Sequence, residues 1–239
     1  MKTIVSCNEC SNTVCLIKQH CLPIWKEKID ANKIQMRYMV GDYIFREGNK
    51  VYGIYFIKHG KAKVISTGLN DKEQIVRLAA NGHILGHRGY GGESYPVSAM
   101  ALCDTSVCFI DNDSFYDVCM NNPQFTMEMT MFYSRELRKA EIRLKYLGQM
   151  SCREKIAEAL LYLKDIFGMD EEKKCLNVYL TRKEIADMVG TTSTQVIREL
   201  HVLEAEKLIA KQGKATLLLI NMPGLESIVS NYEMKQQFV

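Results

Sequence analysis

The sequence lacks several features that would assign it to whole classes of protein. No apolar run approaches the roughly 18 residues that a membrane-spanning helix needs, and the first residues lack the apolar segment of a secretory signal peptide. No acid–base or nucleophile motif accompanies the nine cysteines, which argues against an enzyme. We therefore expect a cytoplasmic protein without membrane partners, whose cysteines are reduced and serve metal or redox chemistry more often than disulfides.

Positive charge is also scarce. The 239 residues carry a net charge of +3, which is only a slight indication of a polyanionic partner. Residues 151–239 hold twelve Lys and Arg against thirteen Asp and Glu. A phosphate-binding surface in that half would therefore have to be local. The candidate cations for it are Arg182, Lys183, Arg198, Lys211 and Lys214.

The stretch 180–209, LTRKEIADMVGTTSTQVIRELHVLEAEKLI, predicts two short helices around a tight turn. Thr181 and Glu184 form a capping box that starts the first helix, and Thr192 and Gln195 form one that starts the second. Gly190 is placed to end the first helix. Apolar residues recur at helical spacing on one face of each helix: Ile185, Met188, Val189, Val196, Leu200 and Leu203. The pattern is typical of a helix-turn-helix, although an ordinary pair of packed helices would share it.

The opposite face of the second helix is polar at its N-terminal end. In a helix-turn-helix that end enters the major groove of DNA. Arg198 can donate two hydrogen bonds to guanine O6 and N7, and Ile197 can touch a thymine methyl group. Residues 207–220 predict two strands that turn at Gly213, the wing of a winged helix. The predicted DNA-binding residues are Arg182, Thr192, Ser193, Thr194, Ile197, Arg198, His201, Lys211 and Lys214.

Four cysteines crowd into the first 21 residues with the spacing C-x2-C-x4-C-x5-C: Cys7, Cys10, Cys15 and Cys21. Two thiolates spaced C-x2-C can reach one metal centre, and further cysteines complete its ligand shell. An iron–sulfur cluster, a structural zinc site and a flexible tail with free thiols are all compatible with this spacing. The other cysteines outside the leader, Cys108 excepted, are interpreted as small apolar residues: Cys103, Cys119, Cys152 and Cys175.

Residues 36–111 alternate apolar and polar positions between glycines at 41, 48, 53, 60, 68, 82 and 86. Short strands separated by glycine turns predict a small antiparallel barrel or roll. The strand-like runs are 43–45, 54–57, 62–66 and 74–78, and a short helical stretch at 23–33 precedes them.

Residues 123–147 predict a helix of about seven turns that ends at Gly148, a candidate hinge. Apolar residues follow a 4-3-4-3 spacing along it, the seam of a two-stranded coiled coil. The predicted dimer interface consists of Tyr133, Leu137, Ala140, Leu144 and Leu147. The alternative is a helix packed within its own monomer, because about two heptads are short for a coiled coil.

These segments together resemble the Crp/Fnr family of bacterial transcription regulators. The phrases VGDYIFREGN (40–49) and GIYFIKHGKAKVIS (53–66) resemble the effector-binding β-roll of that family. The helices and wing of 180–220 resemble its DNA-binding domain. The resemblance implies an α+β fold with an N-terminal antiparallel β-roll of the cyclic-nucleotide-binding kind, a long dimerisation helix and a C-terminal winged helix-turn-helix.

The resemblance also implies boundaries and partners. The expected parts are a cysteine-rich leader at 1–22, a sensor β-roll at 23–120, a dimerisation helix at 121–148 and a DNA-binding domain at 149–239. The implied partners are a second copy of the chain and double-stranded DNA, read as a pseudo-palindrome with half-sites about one helical turn apart. RNA polymerase is a further partner if the protein is an activator.

The effector expected from the resemblance is not a cyclic nucleotide. Family members that bind one carry Glu after a glycine of the phosphate-binding segment, and an Arg-Ser or Arg-Thr pair about ten residues later. The corresponding positions here read Gly86-His87 and Tyr95-Pro96. His83 and His87 could ligate a metal or haem, although exposed or hydrogen-bonded imidazoles are the more ordinary interpretation.

Cys108 lies where the oxygen-sensing fumarate-and-nitrate-reduction members of the family have their fourth iron–sulfur ligand. Their other three ligands follow C-x2-C-x5-C, and this chain has one residue fewer between Cys10 and Cys15. The resemblance implies a 4Fe–4S cluster that senses oxygen or nitric oxide, held by Cys7, Cys10, Cys15 and Cys108. Two alternatives stay open: Cys21 as a third or fourth ligand, including a zinc site, and a haem or small-molecule effector in the roll.

Overall fold

The computed structural model describes residues 5–170, 175–212, 216–219 and 221–232. By its internal contacts the chain divides into two compact units, residues 1–135 and residues 136–239. The division falls inside one long helix. No helix within the described ranges is long and apolar enough to cross a membrane.

Eight strands of the first unit form two antiparallel sheets. They are β1 (Ile34–Tyr38), β2 (Tyr43–Phe45), β3 (Gly53–His59), β4 (Ala62–Thr67), β5 (Glu73–Ala79), β6 (Ile84–Leu85), β7 (Ser98–Ala101) and β8 (Thr105–Asp111). The strand order is β1-β8-β3-β6 in one sheet and β2-β7-β4-β5 in the other. The predicted antiparallel roll is therefore confirmed, and each strand-like run of the sequence lies within a strand of the structure.

Helices cover one face of the first sheet. They are α1 (Leu16–His20), α2 (Pro23–Asn32), α3 (Asn112–Asn121) and the N-terminal part of α4 (Pro123–Gln149). The Asp111 carboxylate accepts a hydrogen bond from Ser114 N at 2.9 Å and so caps α3. α4 runs two residues beyond its predicted end. Gly148 therefore does not end the helix as predicted but lies within its last turn, because the Met150 amide still bonds to Tyr146 O at 3.0 Å.

The first sheet is buried on both faces, because successive side chains of a strand point to opposite sides. Tyr55 and Ile57 of β3 face the second sheet, whereas Ile54 and Phe56 face the helices. The core between the sheets contains Ile44, Phe45, Val51, Tyr55, Ile57, Val64, Leu85, Tyr95 and Val107. The core under the helices contains Cys7, Ile17, Cys21, Ile29, Ile54, Phe56, Ile84, Ile110, Phe115, Phe125 and Met129.

The cysteine-rich leader is part of this second core. The sequence left a flexible tail with free thiols as one alternative, but Cys7, Ile17 and Cys21 are all at most 9% exposed. Their packing against sheet residues explains the difference, since a buried free thiol behaves as a small apolar side chain. The leader is a folded layer of the first unit.

The second unit contains the remaining elements. They are α5 (Cys152–Phe167), β9 (Met169–Asp170), β10 (Cys175–Leu176), α6 (Arg182–Val189), α7 (Ser193–Ala205), β11 (Ile209–Gln212), β12 (Thr216–Leu219) and α8 (Met222–Val229). A capping box of Ser151 and Glu154 starts α5. The antiparallel sheet β11-β12-β10-β9 contains the predicted wing strands. The predicted wing turn at Gly213 lies outside the described residues.

The C-terminal half of α4 is bonded within this second unit. Arg143 donates from Nη2 to Met188 O at 3.0 Å, at the end of α6. The Tyr146 hydroxyl donates to Tyr232 O at 3.0 Å, and the Tyr232 hydroxyl donates to Gln149 O at 3.3 Å. The last turns of α4 are thus fixed to the helices that follow them.

Candidate nucleic-acid interface and cysteine cavity

The two helices α6 and α7 pack through the apolar faces that the sequence predicts. The residues that pack there are all at most 3% exposed: Ile185, Met188, Val189, Val196, Leu200 and Leu203. Gly190 ends α6 in the left-handed region, with φ of 67°, a conformation that favours glycine. Only Thr191 and Thr192 separate Gly190 from the start of α7. This tight turn fixes the direction of α7.

Side-chain caps define the start of each helix. Thr181 and Glu184 form the complete capping box, with Glu184 N donating to Thr181 Oγ1 at 3.1 Å and Thr181 N donating to Glu184 Oε2 at 2.7 Å. At α7 only half of the predicted box is found. Thr192 Oγ1 accepts from Gln195 N at 3.3 Å, but the Gln195 side chain accepts from the Thr191 hydroxyl instead. The Thr191 hydroxyl therefore replaces the Thr192 amide as the donor to the Gln195 side-chain oxygen.

Most of the predicted base-reading residues lie on the uncovered face of α7. Thr194, Ile197, Arg198 and His201 are exposed, as is the capping Thr192, while Ser193 is half-buried. Ile197 is 45% exposed, a large fraction for an apolar side chain. The geometry offers a guanidinium, hydroxyls and an apolar tip on one helix face, the groups that read base edges in a major groove.

The predicted phosphate contacts are less uniform. Arg182 is half-buried, and its Nη1 is closed off from solvent with no hydrogen-bond partner among the described residues. Lys183 forms an ion pair with Asp187, Nζ to Oδ2, at 2.7 Å. The side chain of Lys211 and all of Lys214 lie outside the described residues. Within α7, which the structure describes in full, Arg198 is the one Lys or Arg, and it is exposed.

The predicted dimer seam lies largely open on α4. Leu137 is 62% exposed and Leu144 73%, while Ala140 is exposed and Leu147 half-buried. Tyr133 differs from the others because its hydroxyl donates to His87 O at 3.1 Å. The buried side of α4 carries Phe125, Met129 and Tyr146. The helix therefore packs within its own chain on one side and leaves the seam uncovered on the adjacent side.

Four cysteines from distant parts of the sequence line one cavity. Cys7, Cys10 and Cys15 come from the leader, and Cys108 comes from β8. Cys108 pairs with Phe56 of β3 and with Gln35 of β1, in the middle of the first sheet. Its position two residues before Ile110 places it on the face that the leader covers. The sheet register thus determines which cysteine meets the leader.

The leader is held over this sheet by hydrogen bonds to the main chain. Asn12 is 7% exposed, and its Nδ2 donates to Ile57 O and Lys58 O, both at 3.0 Å. Gln35 Nε2 donates to Val5 O at 2.9 Å. A Cβ atom at Gly82 would lie 2.5 Å from Val14, so glycine permits this close approach. These contacts place the leader cysteines above β8.

Cys21 lies elsewhere. It is buried, and its Sγ donates to Asn122 Oδ1 at 3.7 Å. Burial raises the pKa of Cys21 to about 11, with Cys119 adding to the rise, and Cys21 does not line the cavity that the other leader cysteines share. Packing against the α3–α4 connection therefore accounts for this cysteine.

A buried ion pair lies beside Cys7. Lys33 is 4% exposed, and its Nζ donates to Cys7 Sγ at 3.2 Å and to Asp30 Oδ1 at 2.5 Å. The Asp30 carboxylate also accepts from Cys7 N, at 2.9 and 3.0 Å. Burial alone would lower the pKa of Lys33, but the hydrogen bond to Asp30 and the neighbouring Cys7 raise it above its ordinary value. Lys33 is thus held as a cation. Sequence reasoning missed this residue, since a lone lysine after a helix carries no signal of burial.

Burial raises the pKa of the cavity thiols. It brings the pKa of Cys7 to about 12, with Asp30 adding to the rise and Lys33 opposing it. It brings the pKa of Cys108 to about 11, where Lys33 lowers the value and Cys15 and Cys10 raise it. The pKa of Cys15 is also raised by burial and, more weakly, by Cys10, while Lys33 lowers it. The charge of Lys33 therefore acts on three of the four sulfurs.

The cysteine set fits an iron–sulfur cluster by its chemistry, because four thiolates are the ligand set that such clusters use. The described residues contain no group of three or more His, Cys, Asp or Glu arranged to hold a metal ion directly. The four sulfurs share one cavity. The cavity walls are otherwise apolar, apart from Asn12, Lys18, Lys33, Gln35 and Lys58.

Aromatic side chains pack together inside the roll around Tyr95. Tyr95 is 2% exposed, its ring stacks on Phe45 at 4.3 Å, and its hydroxyl donates to Gly53 O at 2.7 Å. Phe109 and Tyr55 complete the group, with ring centroids 5.0 Å apart. The small cavity beside Tyr95 is also lined by Arg77 and Arg88.

His87 is neither exposed nor hydrogen-bonded through its ring, contrary to the ordinary interpretation of the sequence. It is 5% exposed, and neither ring nitrogen has a hydrogen-bond partner among the described residues. Its ring packs edge-on to Phe132 of α4 at 4.9 Å. Burial, with the nearby Arg77 and Arg88, lowers the pKa of His87 to about 2, so the imidazole is neutral. His83 is half-buried.

Comparisons with known proteins agree with this architecture. A model of the cyclic nucleotide-binding domain matches residues 35–122, and a model of the Crp-like helix-turn-helix domain matches residues 154–228. The chain is 30% identical over 164 residues to the probable transcriptional regulator flp of Lacticaseibacillus casei, covering 68% of this chain and 73% of that one.

Two further relatives extend the likeness. The fumarate and nitrate reduction regulatory protein of Vibrio cholerae is 21% identical over 222 residues, covering 90% of this chain and 87% of its own. The solved structure of FixK2 from Bradyrhizobium japonicum shares the fold with a TM-score of 0.74 at 22% identity, over 82% of this chain and 96% of that one. With its β-roll, long helix and exposed recognition helix, the chain belongs to the Crp/Fnr family of DNA-binding transcription regulators.

Proposed function

We propose that this regulator binds a pseudo-palindromic promoter site as a homodimer and responds to oxygen, nitric oxide or another redox signal. The open seam of α4 supports the dimer. Leu137 and Leu144 are strongly exposed, and they have the spacing of a coiled-coil interface. The exposed face of α7 supports base reading by Thr194, Ile197 and Arg198. A two-fold dimer would present two such helices to successive major grooves. RNA polymerase would be a further partner if the protein activates transcription.

The sensor we propose is an iron–sulfur cluster held by Cys7, Cys10, Cys15 and Cys108. The observation that carries this proposal is that these four thiols, and not Cys21, line one cavity. When bound, the cluster supplies reactivity toward dioxygen or nitric oxide. Three ligands on the leader and one on β8 would join the two layers, so the ligand state would set how firmly the leader is held on the sheet.

The first test of this proposal is the visible absorption and iron content of protein purified without oxygen. We expect a broad absorption that is lost in air and iron in about the four-to-one ratio of a 4Fe–4S centre. Zinc in place of iron, with no visible absorption, would show a structural site instead. Absence of both metals, with a haem or organic ligand bound in the roll, would support the other class of regulator.

Paired serine substitutions test the ligand set. Cys108→Ser should abolish iron binding, whereas Cys21→Ser should leave the iron content near that of the wild type. A zinc site of the leader alone predicts the reverse, because it would use Cys21 and leave Cys108 out. Circular dichroism of both variants checks that they are folded, because Cys21 is 4% exposed and belongs to the core.

A further inference from the structure

Burying a lysine beside a cysteine site is energetically unfavourable. Removing an ammonium group from water costs several kcal/mol, and an apolar side chain of the same size is often equally stable or better. Lys33 is 4% exposed and is held by Asp30 on one side and Cys7 Sγ on the other. The Lys33 amide separately closes the end of α2 by donating to Ile29 O at 2.7 Å.

The Cys7 sulfur has a hydrogen-bond donor that would remain available to a ligating thiolate. Lys33 Nζ lies 3.2 Å from Cys7 Sγ, and an ammonium group can only donate. The same charge acts on Cys15 and Cys108 across the cavity. A cluster with four thiolate ligands carries net negative charge, which a low-dielectric cavity disfavours unless a cation is near. Hydrogen bonds to the ligand sulfurs are among the factors that tune such clusters.

We propose that Lys33 is a positioning residue for the sensor: it donates a hydrogen bond to the Cys7 thiolate and offsets the charge of the bound cluster. Asp30 holds both partners, because it accepts from Lys33 Nζ and from Cys7 N. The inference rests on the cluster proposed above. Lys33 would then be one of the residues that determine how fast the sensor reacts with dioxygen. Removing the cation favours the oxidised, less negative form and so exposes the cluster to faster attack by dioxygen.

The test is the loss of visible absorption when anaerobically prepared protein meets air-saturated buffer. Lys33→Met keeps the length of the side chain and removes its charge, and we expect the decay to be about tenfold faster, the order of one charge-assisted hydrogen bond. Lys33→Arg should restore a rate near that of the wild type. Resonance Raman bands of the iron–thiolate bonds should move to higher frequency in Lys33→Met only, because a hydrogen bond to the sulfur weakens that bond.

Lys18 offers a matched control. It lines the same cavity, but its Nζ donates to a carbonyl, Cys10 O, rather than to sulfur. Lys18→Met should therefore change the decay rate about twofold or less and leave the Raman bands in place. Equal effects of Lys18→Met and Lys33→Met, or no effect of Lys33→Met on protein that holds full iron, would overturn the role of Lys33 and leave the sensor intact. A wild-type protein without iron would overturn the sensor itself, and the role of Lys33 with it.

Discussion

The exposed face of α7 and the cysteine cavity are assembled in opposite ways. One stretch of chain, 180–209, supplies the cap, the turn glycine and the buried residues that aim α7. The cavity instead joins the leader to the middle of a sheet strand, through the pairing of β8 with β1 and β3. The first surface is open, so a large rigid partner can dock on it. The second is covered by the leader, so a small reactant can reach it, whereas access for a larger molecule requires the leader to move.

Charging the open seam of α4 should have the largest effect. Leu137→Glu would place two carboxylates at the centre of the proposed dimer and weaken association by about 3–5 kcal/mol, the cost of an unpaired buried charge. Sedimentation at low micromolar concentration measures it, and we expect the wild type to be a dimer with or without bound metal.

Leu69 provides the control for that change. It is 91% exposed in a turn outside the seam, and Leu69→Glu should leave the dimer intact. A wild-type monomer, or a dimer that survives Leu137→Glu, would show that α4 packs only within its own chain.

A substitution that enlarges the cysteine cavity should have the second-largest effect. Ile17 is 2% exposed and lines the cysteine cavity, so Ile17→Ala should lower the free energy of unfolding by about 2–5 kcal/mol. Urea denaturation measures this value, and iodoacetamide labelling should find the leader cysteines more reactive. Ile24→Ala is the matched change on α2, where the side chain is 60% exposed, and about 0.5 kcal/mol or less is expected. Similar losses for both variants would contradict the role of the leader as core.

Arg198→Ala should act on DNA binding and leave stability unchanged, because its side chain is exposed. Loss of a bidentate guanine contact predicts about 1–3 kcal/mol less discrimination between cognate and scrambled sites. Gel-shift titrations against both sequences give the number. Arg198→Lys keeps the charge but not the paired donors, so it should retain general affinity while losing discrimination. Unchanged discrimination in both variants would remove Arg198 from the base contacts.

The smallest effect is expected at the cap of α6. Thr181→Ala removes half of a complete capping box and should cost about 1 kcal/mol, whereas Thr181→Ser should cost little. Thermal unfolding followed by circular dichroism resolves the two. A loss as large as that of Ile17→Ala would mean that the open surface depends on long-range packing after all.

Features set by local chemistry could be predicted from sequence, and features set by tertiary contacts could not. The capping box of α6, Gly190 and the apolar repeat of Val196 and Leu200 act within one or two turns, and the structure has them as predicted. α1 and α3 were not predicted. Their short amphipathic patterns are indistinct, because the sheet face beneath them is what buries Ile17 and Phe115.

The candidate sites divide in the same way. Helical spacing places Arg198 and Thr194 on one face without any tertiary information. Nothing in the sequence shows that Lys33 is buried, or that Tyr95 fills the roll, because both depend on residues far away in the chain. The separation of Cys15 from Cys21 likewise follows from where the leader is anchored.

The expected hinge at Gly148 is a further case where tertiary contacts decide. Gly148 lies in the last turn of α4, between the bonded residues Tyr146 and Gln149. A rotation there would break the contacts of Tyr232 with both. Since Arg143 is also bonded to the end of α6, the last turns of α4 form one body with the helix-turn-helix.

The anchor of the leader has an evolutionary consequence. Asn12 holds the sheet through the carbonyl oxygens of Ile57 and Lys58. Every amino acid carries that oxygen, so mutations at those two positions change side chains but leave both acceptors in place. A single codon change at position 12 removes both bonds at once. The sheet can therefore drift in sequence beneath the leader, whereas one mutation at position 12 removes two of the hydrogen bonds that hold the leader to it.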